Sequence, residues 1–220
     1  MTTKPTIEFK RPDGGTSRAY LADAGPGKPG IVLIQEWWGL NEQICAVADR
    51  FAAAGFTTLA PDLYRGRLAS SADEANHLMT GLDFGDATHQ DLAGALAYLQ
   101  PRCSKVGVTG FCMGGALTIA AAVHVKGYAA ASCFYGIPPA EFADPAKIAI
   151  PFQGHFADLD DWCTPAAVNG LEGKLKVPAE IYRYHAHHAF FNERRPEVFD
   201  AACAKQAWER TIAFFGKHLA

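Results

Sequence analysis

The chain lacks the marks of a membrane protein, a polyanion binder or a disulfide scaffold. No apolar run approaches the roughly 18 residues that a bilayer span requires. No run of Lys or Arg occurs, and 20 basic against 23 acidic side chains leave a formal charge of −3. Nothing in that pattern favours nucleic acid or an anionic membrane as partner. The opening segment, MTTKPTIEFKRPDGG, has no apolar stretch of the kind a signal peptide needs, so a cytoplasmic location is expected. Six cysteines, at 45, 103, 112, 133, 163 and 203, include no Cys-x-x-Cys pair. A chain of 220 residues does not need staples, so most of these cysteines are expected to be small buried hydrophobes. Internal repeats and low-complexity segments are also missing.

What is present is an ordinary apolar share, 49%, arranged in short runs. The length suits one domain, residues 1–220. Two short strands are expected between Thr6 and Ala24, around the turn signal Pro12-Asp13-Gly14-Gly15. Ile31–Ile34 reads as a strand buried on both faces. Asn41 is a candidate N-cap for a helix carrying Ile44, Val47, Ala48 and Phe51, closed by Gly55. Further strands are expected at Phe56–Ala60, Val106–Thr109, Tyr128–Tyr135, Ile148–Gln153 and Ile181–Tyr184. Helices are expected at Ala72–Met79, Asp86–Leu99, Ala116–Val123, Pro165–Leu175 and Glu197–Phe215. Strands alternating with helices at this spacing predict an α/β fold, a mostly parallel twisted sheet of about seven to eight strands covered on both faces. In such sheets chemistry gathers at the carboxyl ends of the strands.

One strand end reads Val106-Gly-Val-Thr-Gly-Phe-Cys112-Met-Gly-Gly. Strand, Gly-x-Cys-x-Gly, then helix is the nucleophile-elbow pattern with sulfur in place of a hydroxyl. Gly110 and Gly114 allow the tight bend and the close strand–helix approach. A cysteine at a helix N-terminus gains from the helix dipole, which favours a thiolate. Cys112 is therefore the candidate nucleophile, set apart from the other five cysteines by its context.

A nucleophile needs a base. In α/β-hydrolases the chain order is nucleophile, acid, histidine. His124 falls in the helix after the elbow, His218 at the C-terminus, and His155 too early to follow the acid. That leaves His185, His187 and His188, between the last strand and the last helix. The three also raise the alternative of a metal-dependent hydrolase, although by themselves they do not complete a site and no HExxH helix accompanies them. For the acid, Asp158, Asp160 and Asp161 compete just before Thr164 and Pro165, which look like the cap and first residue of a helix. Glu36 ends an apolar strand at the same edge, where a carboxylate is costly unless exposed or paired.

These segments resemble the dienelactone hydrolase (carboxymethylenebutenolidase) family. The resemblance rests on Gln35-Glu36-Trp-Trp-Gly39, Ala60-Pro-Asp-Leu-Tyr64, Gly110-Phe-Cys112-Met-Gly-Gly115 and Tyr184 through His188-Ala-Phe-Phe-Asn192, and spans about Thr6 to Phe215. It implies an α/β-hydrolase fold. Cys112 would attack a lactone or ester carbonyl, His188 would be its base, and Glu36 would help activate the thiol when substrate binds. The backbone N–H groups of Trp37 and Met113 would form the oxyanion hole. Two departures stand out. His187 occupies a position that is usually small in the family, and the two spacings around the acid differ from the family's by one inserted residue. Counting from His155 selects Asp160, with Ala157 in place of a Gly; counting back from Pro165 selects Asp161. Asp160 is preferred because the strand fixes its side more tightly than a loop does. The family's carboxylate-binding arginines are missing. Asn192 stands at one position, and no Lys or Arg occurs from Leu68 to Pro101, leaving Arg65, Arg67, Arg194 and Arg195 as the nearest cations.

The expected activity is hydrolysis of a small lactone or carboxylic ester through a Cys–His–Asp triad and an acyl-enzyme. No cofactor or metal is expected. The chain is expected to act as a monomer or weak dimer, without nucleic-acid or membrane partners. A non-catalytic hydrolase-fold binding protein is the remaining alternative.

Overall fold

A computed structural model describes residues 6–220. Eight strands form one mixed sheet in the order β1-β2-β4-β3-β5-β6-β7-β8. The hairpin of β1 (Thr6–Lys10) and β2 (Thr16–Ala22) pairs antiparallel onto β4 (Thr57–Pro61). From β4 onward every pairing is parallel, through β3 (Gly30–Ile34), β5 (Val106–Phe111), β6 (Ala130–Phe134), β7 (Phe152–Leu159) and β8 (Ala179–His187). The apolar runs of β3, β4 and β5 are buried at every residue, as strands covered on both faces must be.

Alternate residues divide between two cores. Ile31 and Leu33 join a cluster under α1 (Glu42–Ala53) and the C-terminal helix. Val32 and Ile34 join a second cluster on the opposite face, under the central helices. That second cover is built from α2 (Ala72–Thr80), α3 (Phe84–Asp86), a π-helical stretch Ala87–Leu92, α4 (Ala93–Leu99) and α5 (Met113–His124). A short 3₁₀ turn at Pro145–Lys147 and α6 (Pro165–Lys174) precede β8, and α7 (Ala201–Leu219) closes the chain. Among the described residues no helix is long and apolar enough to cross a membrane.

Asn41 caps α1 by accepting from the Ile44 N–H at 3.1 Å. Several boundaries differ from the sequence reading, three of them near the site or the chain's end. β7 begins at Phe152 and runs through His155 to Leu159, because its polar residues pair inside the fold. His155 Nδ1 meets Tyr184 Oη at 2.8 Å, and its Nε2 lies 2.9 Å from Gln153 Oε1. β8 extends to His187, so His185 and His187 stand on a strand rather than in a loop. The last helix starts at Ala201, where Asp200 accepts from the Cys203 N–H at 2.9 Å, and not at Glu197.

Candidate active site

Five adjacent strands each deliver one polar side chain just past their carboxyl ends. In sheet order they are Glu36 after β3, Cys112 after β5, Tyr135 after β6, Asp160 after β7 and His188 after β8. The parallel sheet aligns these ends along one edge.

Cys112 sits between β5 and α5 with φ 56° and ψ −116°, backbone that a non-glycine residue rarely adopts. The bend survives because Gly110 and Gly114, two residues away on either side, have no side chains. A Cβ on Gly114 would lie 2.5 Å from the carbonyl oxygens of Ile34 and Gln35, and one on Gly110 would strike the Gly114 carbonyl. The same close approach seats the end of β3 against the elbow. Met113 opens that helix, so its N–H has no partner within the helix. Cys112 is partly exposed, whereas Cys45, Cys103, Cys133 and Cys163 are buried. Burial pushes the Cys133 thiol up to about 12 and raises those of Cys163 and Cys103 as well.

His188 Nδ1 lies 2.7 Å from Asp160 Oδ2, and the Cys112 thiol is close enough to the ring to favour its charged form. Burial opposes a charged imidazole, but the hydrogen bonds and charges of Asp160 and Cys112 outweigh it and hold His188 up to about 10. Asp160 is 3% exposed, and its Oδ1 accepts from the N–H groups of Trp162 at 2.7 Å and Cys163 at 3.0 Å. Burial works against its charge, yet His188 and those two N–H donors hold it below the usual carboxylate range. Asp158 and Asp161 are exposed. The structure therefore brings Asp160, and neither neighbour, to His188.

Glu36 is 1% exposed and faces neutral donors. Its Oε1 accepts from the Tyr135 hydroxyl at 3.2 Å and its Oε2 from Asn192 Nδ2 at 2.6 Å. Burial raises its pKa, only partly countered by these bonds and by the charges of His188 and Arg195. The sequence does not single out Tyr135 as a site group, and it singles out Asn192 only as the residue standing where the family has an arginine. The available signal was Tyr135-Gly136 at the end of an apolar strand; Tyr135 has φ 35°. Asn192 takes a share of Glu36 instead of facing a ligand as an arginine would.

The three clustered histidines do not converge. His185 and His187 are exposed on β8, while His188 turns inward past its end. Among the described residues no group of three or more His, Cys, Asp or Glu side chains is arranged to hold a metal ion.

The site opens into a cavity of about 860 Å³ whose walls are largely apolar, among them Trp37, Trp38, Met79, Phe84, Ile137 and Trp162. Of the four arginines considered above, only Arg195 lines it. Arg65 is taken up by Asp91 at 2.8 Å, Arg67 reaches the Tyr64 carbonyl at 3.5 Å, and Arg194 lies 3.4 Å from Glu42. Arg195 spends its Nε on Glu197 at 2.8 Å.

The profile of the dienelactone hydrolase family matches residues 18–219. Among curated relatives, "Protein usf" of Aquifex pyrophilus is 36% identical, over 97% of this chain and 98% of its own length. A "Putative carboxymethylenebutenolidase" of Aquifex aeolicus (strain VF5) is 32% identical over the same shares. Among solved structures, a putative dienelactone hydrolase from Klebsiella pneumoniae subsp. pneumoniae MGH 78578 superposes with a TM-score of 0.83 at 24% identity, covering 96% of this chain and 98% of its own. A dienelactone hydrolase-like promiscuous phosphotriesterase from metagenomic libraries gives 0.82 at 23% identity, covering 98% and 99%.

Proposed function

This chain belongs to the dienelactone hydrolase family, and from that premise we propose that it is a cysteine hydrolase of small lactones or carboxylic esters, working through Cys112, His188 and Asp160. The observation that carries the reading is the chain of contacts from Asp160 through His188 to Cys112, on an elbow whose backbone is strained.

Cys112 gives its proton to His188 and its sulfur attacks the carbonyl carbon. The backbone N–H groups of Trp37 and Met113 receive the oxyanion. When the intermediate collapses, the C–O bond breaks and His188 returns its proton to the leaving oxygen. Water then attacks the thioester, His188 takes its proton, and the carboxylic acid leaves as the thiolate is restored. Asp160 holds the imidazole in the orientation and tautomer this requires. Glu36 adjusts the charge state of the thiol from a buried position. The sequence runs on the chain's own side chains, with no cofactor or metal and no macromolecular partner.

Replacing Cys112 with Ala tests the reading. Ester and lactone hydrolysis should fall by about 10⁴-fold or more while the circular dichroism spectrum is unchanged. Activity kept within tenfold of the parent would end it. Cys112→Ser should also be strongly impaired, because a hydroxyl ionises far less easily than a thiol.

The expected substrate is neutral. Asn192 donates to Glu36, three of the nearby arginines are held away from the cavity, and Asn cannot supply the charge-assisted fork that Arg offers a carboxylate. An uncharged ester should therefore show a higher kcat/KM than a dienelactone of similar size. The opposite preference would point to Arg195 as the carboxylate holder.

A further inference from the structure

Trp162 is the largest exposed apolar side chain among the described residues, at 70%, and it stands at the rim of the cavity rather than on a remote surface. Its position is not accidental to the site. Its backbone N–H donates to Asp160 Oδ1 at 2.7 Å, so the loop that fixes the acid also fixes this indole. Its ring centroid lies 6.4 Å from that of His188 and 6.5 Å from that of Trp37, which meets Trp162 at 64°. Trp37 in turn packs edge-on against Trp38 at 5.2 Å. Two loops, one expected to supply the oxyanion hole and one the acid, thus each hold an indole at the mouth.

We propose that Trp162, with Trp37, forms the subsite for the alcohol side of the ester and selects flat, apolar, aryl-bearing leaving groups. The inference rests on the Cys112–His188 reading given above. Its chemical basis is the proton transfer at collapse. As the C–O bond breaks, the leaving oxygen takes its proton from His188, so the group attached to that oxygen must lie on the His188 side of the carbonyl. Tyr135 lies nearer the imidazole, at 5.1 Å, but is buried and bonded to Glu36, so Trp162 is the solvent-open aromatic wall on that side. An aryl ring there can meet one indole by face and the other by edge, the arrangement aromatic pairs favour.

The test compares phenyl acetate with ethyl acetate in the parent enzyme, Trp162→Ala and Trp162→Phe. Phenyl esters are intrinsically more reactive, but that advantage cancels when the aryl-to-alkyl ratio of kcat/KM is compared between variants. The ratio should fall about tenfold in Trp162→Ala and recover most of its value in Trp162→Phe. The change should appear mainly in KM for the phenyl ester. Phenol should also inhibit the parent more strongly than the alanine variant. Equal losses on both esters would show that Trp162 merely supports Asp160 and would overturn the proposal. An unchanged ratio would overturn it too, as would a change confined to the oligomeric state. Failure of the underlying reading looks different: Cys112→Ala would then keep its activity whatever Trp162 does.

Discussion

Two buried carboxyl groups stand at the same sheet edge and are driven in opposite directions. Asp160 is held below the ordinary range against its burial, whereas burial wins at Glu36 and raises it. The extent of burial does not separate them, since both residues are nearly inaccessible. Their partners do. Asp160 faces an imidazole that can carry charge and two backbone N–H groups fixed by the following turn. Glu36 faces a phenol and an amide, and the nearest cations act on it only across a distance. One edge thus holds one carboxyl whose partners favour its charge and one whose burial disfavours it.

The largest break in this contrast comes from removing the charge at Asp160. Asp160→Asn should lower kcat by about 10⁴-fold, the scale seen when another triad loses its orienting carboxylate. His188→Ala should be at least as severe. Asp161→Asn, at an exposed neighbour without a contact to the imidazole, should stay within about twofold of the parent. Steady-state kinetics on one ester decides the ranking, and a reversal would transfer the acid's role to Asp161.

Glu36→Gln probes the other side of the comparison. Glu36 gains its negative charge only above the ordinary carboxylate value of about 4.3, and once ionised it disfavours a thiolate nearby. The rate of Cys112 alkylation against pH should therefore lose one inflection in Glu36→Gln. Cys112 should also be the fastest of the six cysteines to react in the parent, as peptide mapping after brief iodoacetamide treatment can show. Superimposable pH profiles would leave Glu36 a purely structural group.

The smallest effect is on stability, and its sign separates the two groups. A carboxyl with a lowered folded pKa contributes stability above its unfolded value and loses it as pH falls through the folded one. The advantage of the parent over Asp160→Asn should accordingly shrink on acidification below about pH 4. A carboxyl with a raised folded pKa is favourable below its unfolded value and loses that contribution as pH rises through the folded one. The parent should therefore lose ground to Glu36→Gln as pH climbs above about 4.3. Urea unfolding at several pH values measures both gaps; parallel trends would contradict the assigned directions.

The sequence by itself determined that the chemistry gathers at the carboxyl ends of parallel strands, with Glu36 and Cys112 at two of them. The apolar runs before Glu36 and Cys112 could be read because burial of a parallel strand and the sterics of a glycine-flanked elbow are local requirements; the strand ends before Asp160 and His188 lie several residues beyond the ends the local pattern gives. The choice among three aspartates was legible only as a preference. Tertiary structure separated them through the register of the last two strands. Between the pairs Ala157–Tyr184 and Leu159–His187, β7 advances two residues while β8 advances three. This bulge on β8 carries His188 level with Asp160; an unbroken register would have set it level with Asp161. Tertiary structure alone also decided the opposite pKa directions of the two carboxyls and the use of Asn192. A pKa depends on desolvation and on partners brought together from distant parts of the chain, 156 residues apart for Asn192 and Glu36, and no local pattern encodes either.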